Sequence, residues 1–217
     1  MTLPFTKAEF LALFGAYNAA LWSFALVLWL ASAATLALVL GGKRIDRAVS
    51  SLLAVHWAWS GVAYHLVLFT RINPAAWVFG ALFLVQALLF ARAAVDRIPL
   101  RYGSSGTPAR VAGLALVAYA LAYPLLTATG VHSWPETPGF GVPCPTTLLT
   151  AGFLLMAAPI RRALLVIPLL WSLIGGSAAL LLGVWTDFAL FAAALALLIA
   201  LVAPRRTAGP VAGGPTG

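Results

Sequence analysis

The stretch FLALFGAYNAALWSFALVLWLASAATLALVLGG, residues 10–42, contains no charged side chain. A helix needs about 20 such residues to cross about 30 Å of hydrocarbon. Backbone polar groups cannot stay unpaired in lipid, so an apolar run this long must be helical. Within it Leu26-Val27-Leu28-Trp29-Leu30 shows no period of two, nor does Ala179-Leu180-Leu181-Leu182 far along the chain. That excludes the alternation of a membrane β-barrel.

Working outward, the five acids (Glu9, Asp46, Asp96, Glu136 and Asp187) and the 13 Lys and Arg residues bound further uncharged intervals. These are 48–70, 72–91, 111–135, 137–160, 163–186 and 188–204. The expected fold is an all-α, polytopic transmembrane helix bundle with spans at 18–41, 48–70, 74–93, 109–128, 145–160, 163–183 and 187–203. Two spans are irregular. The fifth is short and follows Pro143-Cys144-Pro145, so it either crosses fully or re-enters. The first is preceded by Phe5, Phe10, Leu13 and Phe14 at near-helical spacing, which suits a separate amphipathic segment. Ala31-Ser32-Ala33 mimics a signal cleavage site, but the apolar run continues to Leu40 without a basic region before it, so a retained span is expected.

Composition agrees. Of 217 residues 63% are apolar and 8% charged, against about 45–50% and about 25% in soluble domains. With mean hydropathy +1.01, the charges are too few to cover a water-facing surface. A soluble enzyme, a disordered chain and a disulfide scaffold are excluded, the last because there is one cysteine. Residues 1–203 read as one transmembrane domain, and 204–217, rich in Pro, Gly and Thr, as a disordered cytoplasmic tail.

Orientation follows from the loop cations. With seven spans and the N-terminus outside, the inner side holds Lys43, Arg44, Arg47, Arg92, Arg97, Arg101, Arg110, Arg161, Arg162, Arg205 and Arg206; the outer side holds Lys7 and Arg71. The net charge of +8 therefore reads as anchorage to anionic headgroups of the cell membrane and not as nucleic-acid binding. The C-terminus is expected in the cytoplasm. No internal repeat is evident.

Polar residues that are expensive to insert carry the functional signal. His56 lies deepest, as a ligand or proton carrier or as a neutral imidazole bonded to a neighbouring helix. His65 follows nine residues later, about 180° around an ideal helix, so the two cannot hold one ion from this helix. With no other span containing histidine, bis-histidine haem is excluded. The outer loop places His132, Glu136 and Cys144 near His65, and Pro145 suits a helix start that would turn the thiol toward free amides. Cys144, His132 and His65 form the candidate metal set for a divalent ion, a mixed sulfur and nitrogen site with Glu136 as an oxygen donor. Thr146, Thr147, Asn18 and Asn73 extend the candidate ligand-binding set on this side. Pro-Cys-Pro-Thr-Thr as a rigid helix start, and Asn73 as a cap for Pro74, are the structural alternatives. In span six Pro168 marks a kink, and Ser172, Gly175, Gly176 and Ala179 suit close helix packing or a bent helix exposing Ser172 to a passage. Trp22, Trp77, Trp134 and Trp185 suit an outer aromatic belt.

Leu3-Pro4-Phe5-Thr6, Tyr17-Asn18, Tyr64-His65, Ile72-Asn73-Pro74-Ala75, Phe140-Gly141-Val142-Pro143-Cys144-Pro145-Thr146-Thr147 and Ile167-Pro168 through Ser177 together resemble a bacterial family of multi-pass membrane proteins classed as a domain of unknown function. The resemblance covers roughly residues 3–187, and Phe-Gly-x-Pro-Cys-Pro-Thr-Thr is its most specific mark. It implies a membrane architecture and no mechanism. Three functions remain open. The first is permease-like binding or passage of a small solute or metal ion. The others are an accessory or assembly subunit of a membrane complex, and an outward-facing enzyme using the Cys144 thiol. The bilayer is the expected partner, with a second copy or a complex subunit open, and no cofactor is evident beyond a divalent ion.

Overall fold

The computed structural model describes residues 4–128 and 134–203. The expected tail at 204–217 lies outside the described residues. Seven helices follow in order: α1 (Lys7–Leu40), α2 (Asp46–Trp59), α3 (Ala76–Val95), α4 (Thr107–Ala128), α5 (Pro143–Met156), α6 (Ala163–Leu182) and α7 (Ala189–Val202). The α2 helix continues as a π-helical segment, Ser60–Leu68, and a 3-10 turn, Phe69–Arg71; another 3-10 turn, Trp185–Phe188, leads into α7. Counting these turns, six helices are long and apolar enough to cross a membrane. Their flanks leave Leu30, Leu88, Leu125, Leu180 and Leu198 exposed, a surface that suits lipid.

The first helix corrects the expected boundary. It begins at Lys7, not residue 18, and no separate amphipathic segment precedes the span. A capping box sets this start. Glu9 N donates to Thr6 Oγ1 at 3.2 Å, and Thr6 N donates to Glu9 Oε2 at 2.7 Å, so two free amides are paired reciprocally. At 1.5 Å per residue the helix is about 50 Å long and outreaches the hydrocarbon.

α5 is the centre of the bundle. Every residue from Pro145 to Met156 is buried, and the helix touches α2, α4, α6 and α7. Its 14 residues span only about 21 Å, and the chain turns at residue 157, so the expected span at 145–160 is shortened. A helix enclosed on all sides needs no lipid-facing length. Glycines bring its neighbour close: a Cβ added at Gly152 would meet Gly113 O at 2.5 Å and Val117 N at 2.8 Å. Gly175 and Gly176 likewise seat Leu190 and Phe191 of α7, so the small residues of α6 serve helix packing.

Loops gather at two ends. At one, a two-residue ladder pairs β1 (Arg101–Tyr102) with β2 (Ala157–Ala158). There Ser105 N donates to Met156 O, and Tyr102 N donates to Asp46 Oδ1 at 2.9 Å. Arg161 pairs with Asp96 at 2.6 Å, and that hydrogen bond holds the Asp96 carboxyl below its ordinary range. Lys43, Arg44, Arg47, Arg97, Arg101 and Arg162 belong to the loops and helix ends here. Lys7 and Arg71 belong to the opposite end, so the charge asymmetry of the sequence becomes an asymmetry between the two ends of the bundle.

Candidate functional site

Because α5 is short, the loop before it must descend from the Lys7 end into the bundle. Non-helical backbone is tolerated at such depth only where protein satisfies it. Four carbonyls of the loop are met by side chains. Asn18 Nδ2 donates to Pro135 O at 2.6 Å and to Thr137 O at 2.8 Å. Thr127 Oγ1 donates to Pro138 O at 3.0 Å, and Tyr17 Oη to Phe140 O at 3.0 Å. Trp59 Nε1 in turn donates to Tyr17 Oη at 2.8 Å. Tyr17 and Asn18 lie about 15 Å along α1 from Lys7, which measures the descent. Gly141 makes the last bend at φ 80°, where a Cβ would also meet Tyr17 Oη at 2.8 Å. Pro143 and Pro145 then open α5; having no N–H, they remove two of the four amides a buried helix start would leave unpaired.

Beside this loop is a cavity of about 410 Å³. Its floor carries Tyr123, Cys144 and Asp187, and its walls mix aromatic rings, Trp171 among them, with aliphatic side chains. Asp187 is 5% exposed and accepts a hydrogen bond from Tyr123 Oη. The Cys144 thiol adjoins both Asp187 and the Trp171 indole. A Cβ placed on Gly175 would sit 3.8 Å from Cys144 Sγ and 3.4 Å from Trp171 Nε1. Leu173, Ile174 and Leu181 of α6 line the cavity and are 46%, 38% and 58% exposed. The cavity therefore reaches the outer apolar flank of the bundle.

The expected ligand residues are dispersed. Cys144 and Asn73 line the cavity, Asn73 also accepting from Ala75 N at 3.0 Å. His65, in the π-helical segment, is fully buried, its ring 4.5 Å from Phe83 and 4.9 Å from Trp171 between centroids. Neither of its nitrogens has a hydrogen-bond partner among the described residues. His56 faces elsewhere, with Nε2 2.9 Å from Ser32 Oγ and its ring against Phe140. Thr147 Oγ1 donates to Pro143 O at 2.9 Å, while the hydroxyls of Thr146 and Ser172 are buried without a partner among the described residues. Glu136 is exposed and lies over Gly15 of α1. His132 lies outside the described residues. Among the described residues no three of His, Cys, Asp and Glu are grouped to hold a metal ion.

Asp187, Tyr123, Trp171 and Tyr64 were not among the expected site residues. Asp187 bounds two uncharged intervals and begins the expected span at 187–203. The 3-10 turn at Trp185–Phe188 instead carries it inward, and Tyr119 Oη, donating to Thr186 O at 2.8 Å, ties that turn to α4. Tyr123, before Pro124 inside α4, was the available signal, since a tyrosine within a span needs a partner for its hydroxyl.

No curated protein and no solved structure matches the chain. One family model matches residues 7–210, under the description "Family of unknown function (DUF6064)". An all-α chain with six helices able to cross a membrane, matched over nearly its whole length, belongs to this family of unknown function.

Proposed function

We propose that this chain is a multi-pass protein of the cell membrane, with its Lys7 end outside, that captures a small amphipathic molecule from the lipid. The single observation that carries the reading is the shape of the cavity: apolar walls that reach the exposed flank of α6, over a floor with one carboxylate, one thiol and one phenol. Binding sites for small molecules combine a mostly apolar lining with a few convergent polar groups, and here the approach is from the hydrocarbon side. The arginine-rich end faces the cytoplasm by the loop-charge rule. Capture is the first step of permease-like passage. A divalent ion is the weaker candidate, because Cys144 and Asp187 converge while the His65 ring is packed among Phe83 and Trp171.

Cys144 is the only cysteine, which makes it a reporter. In membranes, N-ethylmaleimide is expected to alkylate it. Decanol should slow the reaction by at least about fivefold, as mass action gives at about four times the dissociation constant. Sorbitol, which is confined to water, should not. Equal protection by both, or by neither, contradicts capture from lipid.

A further inference from the structure

The cavity joins two features that select a charge. One is Asp187, a carboxylate at 5% exposure with no Lys or Arg in ion-pair contact among the described residues, whose salt bridges are Arg44 with Asp46 and Arg161 with Asp96. Lys7 Nζ would lie 3.7 Å from a Cβ added at Gly183 and makes no ion pair with Asp187. Tyr123 and Cys144 direct hydrogens at the carboxylate but bring no positive charge. The other feature is the wall: Phe10, Phe14, Tyr64, Phe69, Phe79 and Trp171. Phe10 stands edge-on to Phe14 at 5.0 Å and to Phe69 at 6.3 Å, and Tyr64 stacks near Phe14 at 5.8 Å. Aromatic faces attract cations through the ring quadrupole, and they do so most strongly where water is excluded.

A buried carboxyl group with no cationic partner among the described residues, in a cavity shared with aromatic rings, fits a ligand that brings a positive charge. Beside a neutral amphiphile the carboxyl avoids the cost of a buried charge only by holding a proton, whereas a cation pairs with its ionised form. We infer that the molecule held here is an organic cation, an amine or quaternary ammonium, with its charge between Asp187 and the aromatic wall and its apolar part toward α6. This inference rests on the proposed capture of an amphipathic molecule and specifies its charge.

Benzyltrimethylammonium and its uncharged carbon isostere, neopentylbenzene, separate charge from shape. Binding of each to the full chain in lipid nanodiscs, followed by tryptophan fluorescence, should favour the cation by about tenfold or more, within the range for desolvated cation–aromatic contacts. Asp187→Asn should cut that preference to the part the aromatic rings supply, about threefold, with the loss falling on the cation and not on neopentylbenzene. If Asp187→Asn does not fold, Phe10→Leu carries the test: it should weaken the cation by about threefold and spare the isostere. Equal binding of the two probes, or preference for neopentylbenzene, overturns the cation and leaves the capture reading standing. Binding of neither probe overturns both.

Discussion

Gly152→Ala is expected to destabilise the chain by at least about 3 kcal/mol, the upper part of the usual range for overpacking a filled core. The added Cβ would lie 2.5 Å from Gly113 O, 2.5 Å from Val117 Cγ2 and 2.8 Å from Val117 N. Two of these three atoms are backbone, so no rotamer change relieves the clash. Relief requires α4 and α5 to separate, and α5 is enclosed on its other sides by α2, α6 and α7. Gly106→Ala supplies the control, because an added Cβ there meets nothing within 4 Å. Unfolding of both variants in mixed micelles of rising sodium dodecyl sulfate content measures the difference. A Gly152→Ala chain as stable as Gly106→Ala would show that α4 and α5 are not in backbone contact.

Tyr17→Phe should cost between about 1 and 4 kcal/mol, although it removes one oxygen. It strands two groups at membrane depth, Phe140 O and Trp59 Nε1. A buried polar group left without a partner costs about 1–3 kcal/mol in soluble proteins, and hydrogen bonds within membrane proteins average about 0.6 kcal/mol. The local consequence is more telling than the global one. Phe140 and Gly141 lead directly into Pro143-Cys144, so a released loop should raise Cys144 alkylation in membranes even where the bundle stays folded. The measurement is the alkylation rate of Tyr17→Phe beside that of Tyr119→Phe, which loses a bond to Thr186 O in the turn before α7. An unchanged rate in Tyr17→Phe would mean that Tyr17 does not hold the loop in place.

The architecture was legible because lipid leaves the chain so few choices. Uncharged runs bounded by cations and acids give the helices, and the bounds of α3, α4, α6 and α7 agree with the expected spans to within about two residues, the ordinary scatter of helix ends. The start of α1 was also written in the sequence, as Thr6 and Glu9 at capping-box spacing. It was obscured by Lys7 and Glu9, whose charges suggested a segment lying on the surface instead of one protruding from it. The π-helical segment at Ser60–Leu68 left no readable trace, because Ser-Gly-Val-Ala-Tyr-His-Leu-Val-Leu is equally suited to an α-helix. It arises where Gly61 and Gly80 let α2 and α3 approach, Gly61 being 3.4 Å from Gly80 O by its missing Cβ.

The site was legible in part, for a different reason. Spacing along one chain shows which residues share an end of the bundle; it does not show which of them turn inward. Asn18 and Tyr17 are polar groups within an apolar run, the usual mark of a ligand site, yet they are occupied by loop carbonyls. Asp187, which the sequence offers only as the charge ending one uncharged interval and beginning the next, lines the cavity. Cys144 was recognised from its place between two prolines, and it is the residue common to the sequence reading and the cavity floor.

Capture from the lipid requires that Cys144 be reached from hydrocarbon and not from water. A nitroxide attached to this single native thiol, in lipid bilayers, reports the answer through its collision rates with oxygen and with a neutral nickel chelate. Oxygen partitions into lipid and the chelate stays in water. A cavity open to the flank of α6 predicts frequent oxygen collisions and few with nickel. Dominant nickel collisions would place the thiol in a water-filled vestibule and contradict capture of a lipid-borne molecule.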